Sequence, residues 1–303
     1  MRSGRMMLAL RKYGAIYLFV GVGLVYFFLF RLVPLGYNYI AFTDFNPIKG
    51  IFSSPFVGLK HFRRLVLYDD LNMLIGNTFS IGVMRILLGF WIPILFTLLL
   101  HDFRNPWVKK SLQTVIYFPH FISWVVVAGL TYKLLSPSSG IVNLLIIKLG
   151  GEPIPFVNRP EWFRWILVFQ GIWKESGFGT IIYLAALAGV SPDLYEAAKM
   201  DGANKWQTMR HINIPALSGT IAIMLLLAVG RMINENFAQI FIMLNPMVYK
   251  VGEVFETYVY RVGILEGQIS YTTAVSLFKS LVAAIMVLGS NYVVKKMGHR
   301  GMF

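Results

Sequence analysis

The sequence predicts an all-α membrane protein with six transmembrane helices, and three observations lead to this fold class. Hydrophobic residues make up 56% of the 303 residues, whereas charged residues make up only 14%, about half the share that is usual in soluble domains. The mean hydropathy is +0.62. The apolar residues are also gathered into six long runs, each near the roughly 20 residues that a helix needs to cross the hydrocarbon core.

The six predicted spans form one transmembrane domain, residues 1–303, with no separate soluble domain and no internal repeat. Their approximate bounds are 13–33, 75–100, 112–135, 165–190, 215–244 and 272–294. The first run could be mistaken for a signal peptide, because basic residues precede it. It has no small-x-small cleavage site before Arg31 and its apolar run is long, so we expect a retained helix.

Basic residues at both ends of the chain predict the orientation. The N-terminal tail carries Arg2, Arg5, Arg11 and Lys12, and the C-terminal tail carries Lys295, Lys296 and Arg300. Six spans place both tails on the same side, and short basic tails close to span ends favour the cytoplasm. We therefore expect both termini, the loop 101–111 and the loop 191–213 on the cytoplasmic side of a multi-pass protein.

Several kinds of chemistry are excluded by what the sequence lacks. Without any cysteine, the chain can form neither disulfides nor cysteine-based metal sites. Its five histidines show no spacing typical of a metal site, and no phosphate-binding loop of the Walker type is present. We therefore predict a chain that is not an enzyme and binds no cofactor or metal itself. An intramembrane enzyme would need a catalytic cluster of Asp, Glu, His or Ser, and none is visible.

The loop 191–213 is predicted to form a short helix, a bend and a second helix at the membrane surface. Ser191 is a good N-cap, Pro192 suits the first helical position and Asp193 suits the first turn. This helix should run to about 201, where Gly202 can leave helical geometry at little steric cost. A second helix over about 203–211 should follow, and Pro215 should open the next membrane helix. Such an element can dock a partner but contains no catalytic pair.

The residue pattern of this loop resembles the EAA loop of the permease subunits of ABC importers. Glu-Ala-Ala is followed by a glycine six residues after the glutamate and by Ile-x-Ile-Pro, although Met209 stands where the family often has phenylalanine. The segments 42–47, 56–62 and 172–178 also resemble sugar permeases of this family, and within it the polysaccharide and alginate permeases. The matching positions of the loop are Glu196, Ala197, Ala198, Asp201, Gly202, Ala203, Ile212 and Pro215.

The resemblance implies a type I ABC importer permease fold in which the EAA helix couples the chain to ATPases. It implies a second, homologous permease subunit, two ATP-binding subunits that hold ATP and Mg, and an extracytoplasmic solute-binding protein. The location it implies is the bacterial cytoplasmic (inner) membrane, where the chain would contact lipid. The substrate it implies is a sugar, and no nucleic-acid partner is expected.

A polar stretch in the fifth predicted span is the candidate substrate cavity. Arg231, Asn234 and Glu235 share one helical face at i, i+3 and i+4, and lipid cannot satisfy such a face. It must line a cavity or a subunit interface, and in the sugar permeases that the chain resembles this helix lines the cavity. Arg231 could also pair with Glu235. The candidate cavity residues are Arg231, Asn234, Glu235, Asn236, Phe237, Trp173 and Lys174.

The net charge of +14 has two interpretations, contact with anionic lipid headgroups or an anionic substrate. Together with the resemblance it predicts an acidic, alginate-like oligosaccharide or polysaccharide, with a neutral oligosaccharide or another solute as the alternative. A transporter driven by an ion gradient is a third hypothesis, because Lys174, Glu175 and Glu235 could relay protons. Such transporters usually have internal repeats and broken helices, which the sequence does not reveal. For Arg85 and Lys279 we expect snorkelling or a neighbouring partner.

Overall fold

A computed structural model describes residues 2–67, 70–103, 105–233, 237–296 and 298, with side chains described from residue 13 onward. The described residues are helical or in connecting turns and contain no β-strand, apart from an isolated antiparallel bridge between Thr43 and Phe56. The chain divides into two units, residues 1–67 with 261–277 and residues 68–260 with 278–303.

The first unit contains the N-terminal span and the loop that follows it. Helix α1 covers Arg2–Phe27 and the chain stays helical through short segments as far as Phe42, so the first span extends beyond its predicted end at 33. Pro34 does not stop it, because a π-helical turn, Phe28–Leu32, comes directly before the segment Val33–Gly36 and its wider geometry leaves room for the proline ring. Helix α2 covers Lys60–Leu67.

The second unit contains most of the remaining helices and the candidate site residues that the structure describes. Its longer helices and the helices around the site are α3 (Asp70–Gly89), α4 (Trp91–His101), α5 (Pro106–Tyr117), α6 (Trp124–Leu135), α7 (Ile141–Lys148), α8 (Pro160–Leu187), α9 (Pro192–Met200), α10 (Lys205–Thr208), α11 (Ile214–Met232) and α12 (Phe237–Met243). Two short helices, Tyr249–Gly252 and Phe255–Tyr258, follow α12. Helix α13, Ile269–Lys296, supplies residues to both units.

Four helical stretches among the described residues are long and apolar enough to cross a membrane, namely Tyr13–Phe42, Asp70–His101, Lys205–Met232 and Ile269–Lys296. Two bent pairs, Pro106–Phe121 with Trp124–Leu135 and Pro160–Leu187 with Pro192–Met200, bring the number to six when each pair is one span.

The third span is not the continuous helix predicted over 112–135. Helices α5 and α6 meet at a bend of 101°, with a 3₁₀ turn at Phe118–Phe121 between them. Ile122 and Ser123 have extended backbone, and the Ser123 hydroxyl caps α6 by accepting a hydrogen bond from the Val126 N–H at 3.4 Å. Pro119 contributes to the break because it cannot donate a main-chain hydrogen bond.

The fifth span does not begin at Pro215 as predicted. Helix α10 passes through a π-helical turn, Met209–Asn213, directly into α11, so that Lys205–Met232 forms one helix of 28 residues. A proline inside an α-helix clashes with the carbonyl four residues earlier. The wider π turn just before Pro215 relieves that clash, and the helix therefore continues across the proline.

Helix α8 lies at the centre of the second unit and packs against α3, α4, α5 and α11. Phe163 and Leu167 on α8 are fully buried with Ile240 of α12 in the main hydrophobic cluster. Gly177 allows α5 to approach closely, since a Cβ atom there would lie 2.2 Å from the carbonyl oxygen of Ile116. This close packing fixes the elements that surround the candidate cavity.

Candidate functional site

The loop 191–213 starts with a capped helix, as its sequence predicts. Ser191 is the N-cap of α9 and its hydroxyl accepts a hydrogen bond from the Asp193 N–H at 3.3 Å. Pro192 occupies the first turn, where its missing N–H leaves no hydrogen bond unmade. Helix α9 then runs to Met200, within one residue of the predicted end.

The bend after α9 is a Schellman motif built around Gly202. The Gly202 N–H donates to the Lys199 carbonyl at 3.1 Å, and the Ala203 N–H donates to the Ala198 carbonyl at 2.9 Å. Gly202 has φ +76, a conformation that costs other L-residues about 1–2 kcal/mol. The next helix is fixed by a capping box in which the Asn204 Oδ1 accepts from the Gln207 N–H at 2.9 Å and the Gln207 Oε1 accepts from the Asn204 N–H at 2.8 Å.

Side chains connect this loop to two membrane helices. The Tyr195 hydroxyl donates to the Asn213 Oδ1 at 2.9 Å, at the base of α11. The Tyr195 ring lies 5.5 Å from the ring of His101, the last residue of α4. Lys205 forms an ion pair with Asp102 at 3.3 Å. A displacement of α9 would therefore reach α4 and α11 directly.

The surface of α9 is open to a partner, because the helix has no buried residue. Among the residues predicted to couple the chain to ATPases, Ala198, Ala203 and Ile212 are half-buried. The others are exposed: Glu196, Ala197, Asp201, Gly202 and Pro215. The two alanines leave the helix slim on one side, as expected for a docking element.

A cavity of about 690 Å³ lies between α3, α4, α8 and α11, and its volume is in the range of small-ligand sites. Its ionisable lining residues are Arg85, His120, Glu175 and Arg231. Its aromatic lining residues are Phe90, Phe178 and Tyr183. Charged groups beside aromatic rings can hydrogen-bond the hydroxyl and carboxylate groups of a sugar and cover its apolar faces.

A chain of buried amides holds Arg85 in this wall. The Arg85 guanidinium donates a hydrogen bond to the Gln239 Oε1. The Gln239 amide nitrogen donates to the Leu167 carbonyl at 2.8 Å and to the Gln170 Oε1 at 2.9 Å. Gln170 in turn donates to the Thr131 hydroxyl at 2.6 Å. This network links α3, α12, α8 and α6, and it sets the direction of one cavity guanidinium.

Only some of the predicted cavity residues line the cavity in the structure. Arg231 belongs to the cavity lining. Trp173 is 46% exposed, Lys174 is buried and bonded to main-chain carbonyls, and Phe237 stacks on Phe241 with centroids 5.1 Å apart. None of these three lines the cavity. The remaining predicted residues, Asn234, Glu235 and Asn236, lie outside the described residues, as does the suggested pair of Arg231 with Glu235.

Apart from Arg231, the cavity residues were not among the predicted ones, and three of those missed carry ionisable side chains that can form ion pairs, namely Arg85, His120 and Glu175. Arg85 and Glu175 carried a signal, because ionisable groups inside apolar runs usually face protein or water. The helical period also places Arg85 between Gly82 and Gly89, which line the same cavity. His120 had only its position beside Pro119 as a signal. For Lys279 the expectation of a neighbouring partner is met, since it pairs with Glu256.

Comparison with known proteins places the chain in a family. The family described as "Binding-protein-dependent transport system inner membrane component" matches residues 89–299. A polygalacturonan/rhamnogalacturonan transport system permease of Bacillus subtilis is 43% identical and the match covers 99% of this chain and 93% of that protein.

Two solved structures have the same fold. A chain of a bacterial ABC transporter involved in the import of the acidic polysaccharide alginate is 33% identical, with a TM-score of 0.89, over 96% of this chain and 99% of that chain. A chain of a bacterial alginate ABC transporter in complex with an alginate pentasaccharide-bound periplasmic protein is 32% identical, with a TM-score of 0.89, over 98% and 100%. These matches confirm the predicted fold class, the all-α type I permease fold.

Proposed function

Because this chain belongs to the family of binding-protein-dependent transport system inner membrane components, we propose that it is the permease of an ATP-driven importer for an acidic oligosaccharide. The family is one of membrane transport subunits, and the relatives described above are named for the transport of polysaccharides. We infer that the sugar is acidic from the charges of the cavity and from the substrates for which the relatives are named.

The observation that carries the acidic substrate is the presence of two arginines, Arg85 and Arg231, in the wall of one cavity between membrane helices. Arg85 is half-buried and Arg231 is exposed, and a carboxylate accepts stronger, charge-assisted hydrogen bonds from a guanidinium than a neutral group does. Arginine also matches the planar, two-oxygen geometry of a carboxylate. A uronate residue of an oligosaccharide supplies this group together with hydroxyls for the remaining donors. Glu175 in the same wall can accept hydrogen bonds from those hydroxyls.

The relatives support the same substrate class. Polygalacturonan, rhamnogalacturonan and alginate, named for two of the relatives, all contain uronic acids and therefore carry a carboxylate on many of their sugar units. A neutral oligosaccharide is the alternative, and its hydroxyl groups would accept hydrogen bonds from the cavity arginines, of which Arg85 also donates to Gln239.

We propose that the chain works with a second permease, two ATP-binding subunits and an extracytoplasmic binding protein in a bacterial cytoplasmic membrane. Both termini and α9 would face the cytoplasm, in keeping with the basic residues at the two ends of the chain. Closure of the ATPases would displace α9, and the contacts of Tyr195 and Lys205 would pass this displacement to α11 and α4. Since both helices line the cavity, their movement would change which side the cavity opens to.

An ion-gradient transporter is the second candidate, and the structure removes one argument against it. Broken helices are typical of such transporters, and the bend of 101° between α5 and α6 is a broken helix that the sequence did not reveal. A proton relay through Lys174 and Glu175 is less favoured, because the Lys174 ammonium donates to main-chain carbonyls and Lys174 itself does not line the cavity.

Uptake by the complete complex in sealed vesicles separates the two candidates. We expect accumulation of an acidic oligosaccharide only when ATP is present on the ATPase side and the loaded binding protein is present on the other. A non-hydrolysable ATP analogue is the control and should support no accumulation. Uptake driven by a proton or sodium gradient without ATP would overturn the proposal in favour of the second candidate.

A further inference from the structure

The break in the third span frees main-chain carbonyls in an apolar part of the protein. Between α5 and α6 the chain leaves α-helical geometry over residues 118–123. Carbonyl groups there lose the regular partners that a continuous helix would give them. Unpaired main-chain groups are costly in an apolar environment. The Pro119 carbonyl accepts a hydrogen bond from the Ile122 N–H at 3.2 Å, and a further donor nearby would stabilise the break.

Lys174 of α8 is that donor. Its ammonium group donates to the carbonyl oxygens of Pro119 at 3.4 Å, His120 at 2.6 Å and Ile122 at 2.5 Å. These three hydrogen bonds use all three N–H groups of the ammonium. The Lys174 Nζ also lies 5.5 Å from the centre of the Trp124 ring, within the reach of a cation–π interaction. Lys174 is only 8% exposed. The carbonyls of the break therefore stabilise its buried charge, and the ammonium group in turn stabilises the bent backbone.

The same break carries His120 into the cavity wall. The His120 ring stacks on Phe178 with centroids 4.8 Å apart and planes 14° apart, and both residues line the cavity. Phe178 follows Lys174 by four residues, one helical turn along α8. One face of α8 thus holds the main chain of His120 through Lys174 and its side chain through Phe178.

The imidazole of His120 is placed by stacking and not by a hydrogen bond at Nδ1. That nitrogen is buried and has no hydrogen-bond partner within the described part of the chain. A buried polar group without a partner is unfavourable by about 1–3 kcal/mol. If the imidazole ring of His120 turned so that Nδ1 faced the cavity, a ligand hydroxyl there could form a hydrogen bond with it, and this bond would favour binding of the ligand.

We propose that His120 contacts the sugar and that Lys174 is the positioning residue that keeps His120 in the cavity wall. The proposal rests on the proposed function for the identity of the ligand, a sugar that offers hydroxyl groups. The contacts of Lys174 and His120 on which it is based do not depend on whether that sugar is acidic. Lys174 touches no ligand; it acts through the carbonyls of the break.

A double-mutant cycle in the reconstituted complex tests this proposal, using whichever oligosaccharide the wild-type complex takes up. The variants are Lys174→Met, His120→Ala and the two combined, with Lys174→Arg as the conservative variant. Lys133→Met is the matched control, since Lys133 is an exposed lysine of α6. The readouts are the maximal uptake rate, the unstimulated ATPase rate and the yield of assembled complex.

We expect Lys174→Met and His120→Ala each to reduce maximal uptake about tenfold, the effect of losing one hydrogen bond of average strength. The uptake rate of the combined variant should equal that of the more impaired single variant, because both changes remove the same contact. Lys174→Arg should recover most of the uptake, and Lys133→Met should match the wild type.

An effect of about a hundredfold in the combined variant would mean independent roles and would overturn the proposal. So would normal uptake by His120→Ala, a result that decides the matter even if Lys174→Met does not assemble. A wild-type complex that shows no ATP-dependent uptake of an acidic sugar would instead contradict the proposed function, and the cycle could still be read with the sugar that is transported.

Discussion

A complex that carries Gly202→Val should lose nearly all of its substrate-stimulated ATP hydrolysis, while unstimulated hydrolysis continues. Gly202 has φ +76, and a β-branched residue is a genuine outlier in that conformation. No atom lies within 4 Å of a Cβ built there, so the effect comes from the backbone and not from a clash. The bend would change its angle, and α9 would no longer sit where a partner could move α4 and α11.

Gly202→Asn is the matched control, because asparagine tolerates the left-handed conformation better than other residues. It should keep most of the stimulated rate. Glu196→Lys changes the exposed face of α9 without changing its backbone, and it should also abolish stimulation, whereas the same change at the exposed Glu152 should not. Normal stimulated hydrolysis and transport in both Gly202→Val and Glu196→Lys would remove the coupling role of this loop.

Replacement of Arg231 by glutamine should slow uptake of an acidic oligosaccharide about tenfold to a hundredfold. Arg231 lines the cavity, and a hydrogen bond to a charged group contributes about 1.5–3 kcal/mol. Uptake of a neutral oligosaccharide of equal length should change less than about threefold, because glutamine can still donate to a hydroxyl. Initial uptake rates of the two sugars, measured on the same vesicles, give the comparison, and Arg159→Gln at an exposed position controls for the loss of a positive charge.

A structural role for Arg231 gives a different pattern. Complex yield and stability would then fall whatever the sugar, and the double variant Arg231→Gln/Glu235→Gln would restore them together with the uptake of acidic sugar. Recovery of both assembly and uptake in the double variant would rule out a contact between Arg231 and the substrate.

The loop 191–213 could be predicted closely because its geometry is encoded locally. Ser191, Pro192 and Gly202 each act within a few residues of their own position, as a cap, a first-turn residue and a left-handed bend. The second helix of this loop was harder to predict, because the π turn at Met209–Asn213 carries the helix past Pro215. Proline is normally taken as a boundary, and nothing in the sequence shows that the preceding turn is widened.

The cavity could be predicted only in part because it is assembled from distant segments. Arg231 was found from its own helical face, but its neighbours in the cavity, Arg85 and Glu175, come from α3 and α8. A polar residue in an apolar run signals that it faces protein or water, and it does not say which helix it faces. Lys174 illustrates this limit: its partners are main-chain carbonyls at a break, and such carbonyls carry no signal in the identity of the residues.

The most direct test of an importer for acidic oligosaccharides compares a uronate oligosaccharide with the same oligosaccharide after chemical reduction of its carboxyl groups. Both have equal length and linkage, so that only the charge differs. ATP-dependent uptake by the wild-type complex would be measured with the binding protein saturated by each sugar. We predict uptake of the uronate form at a rate at least about tenfold higher, the difference expected from one lost charge-assisted hydrogen bond. Equal rates for the two forms would contradict the account.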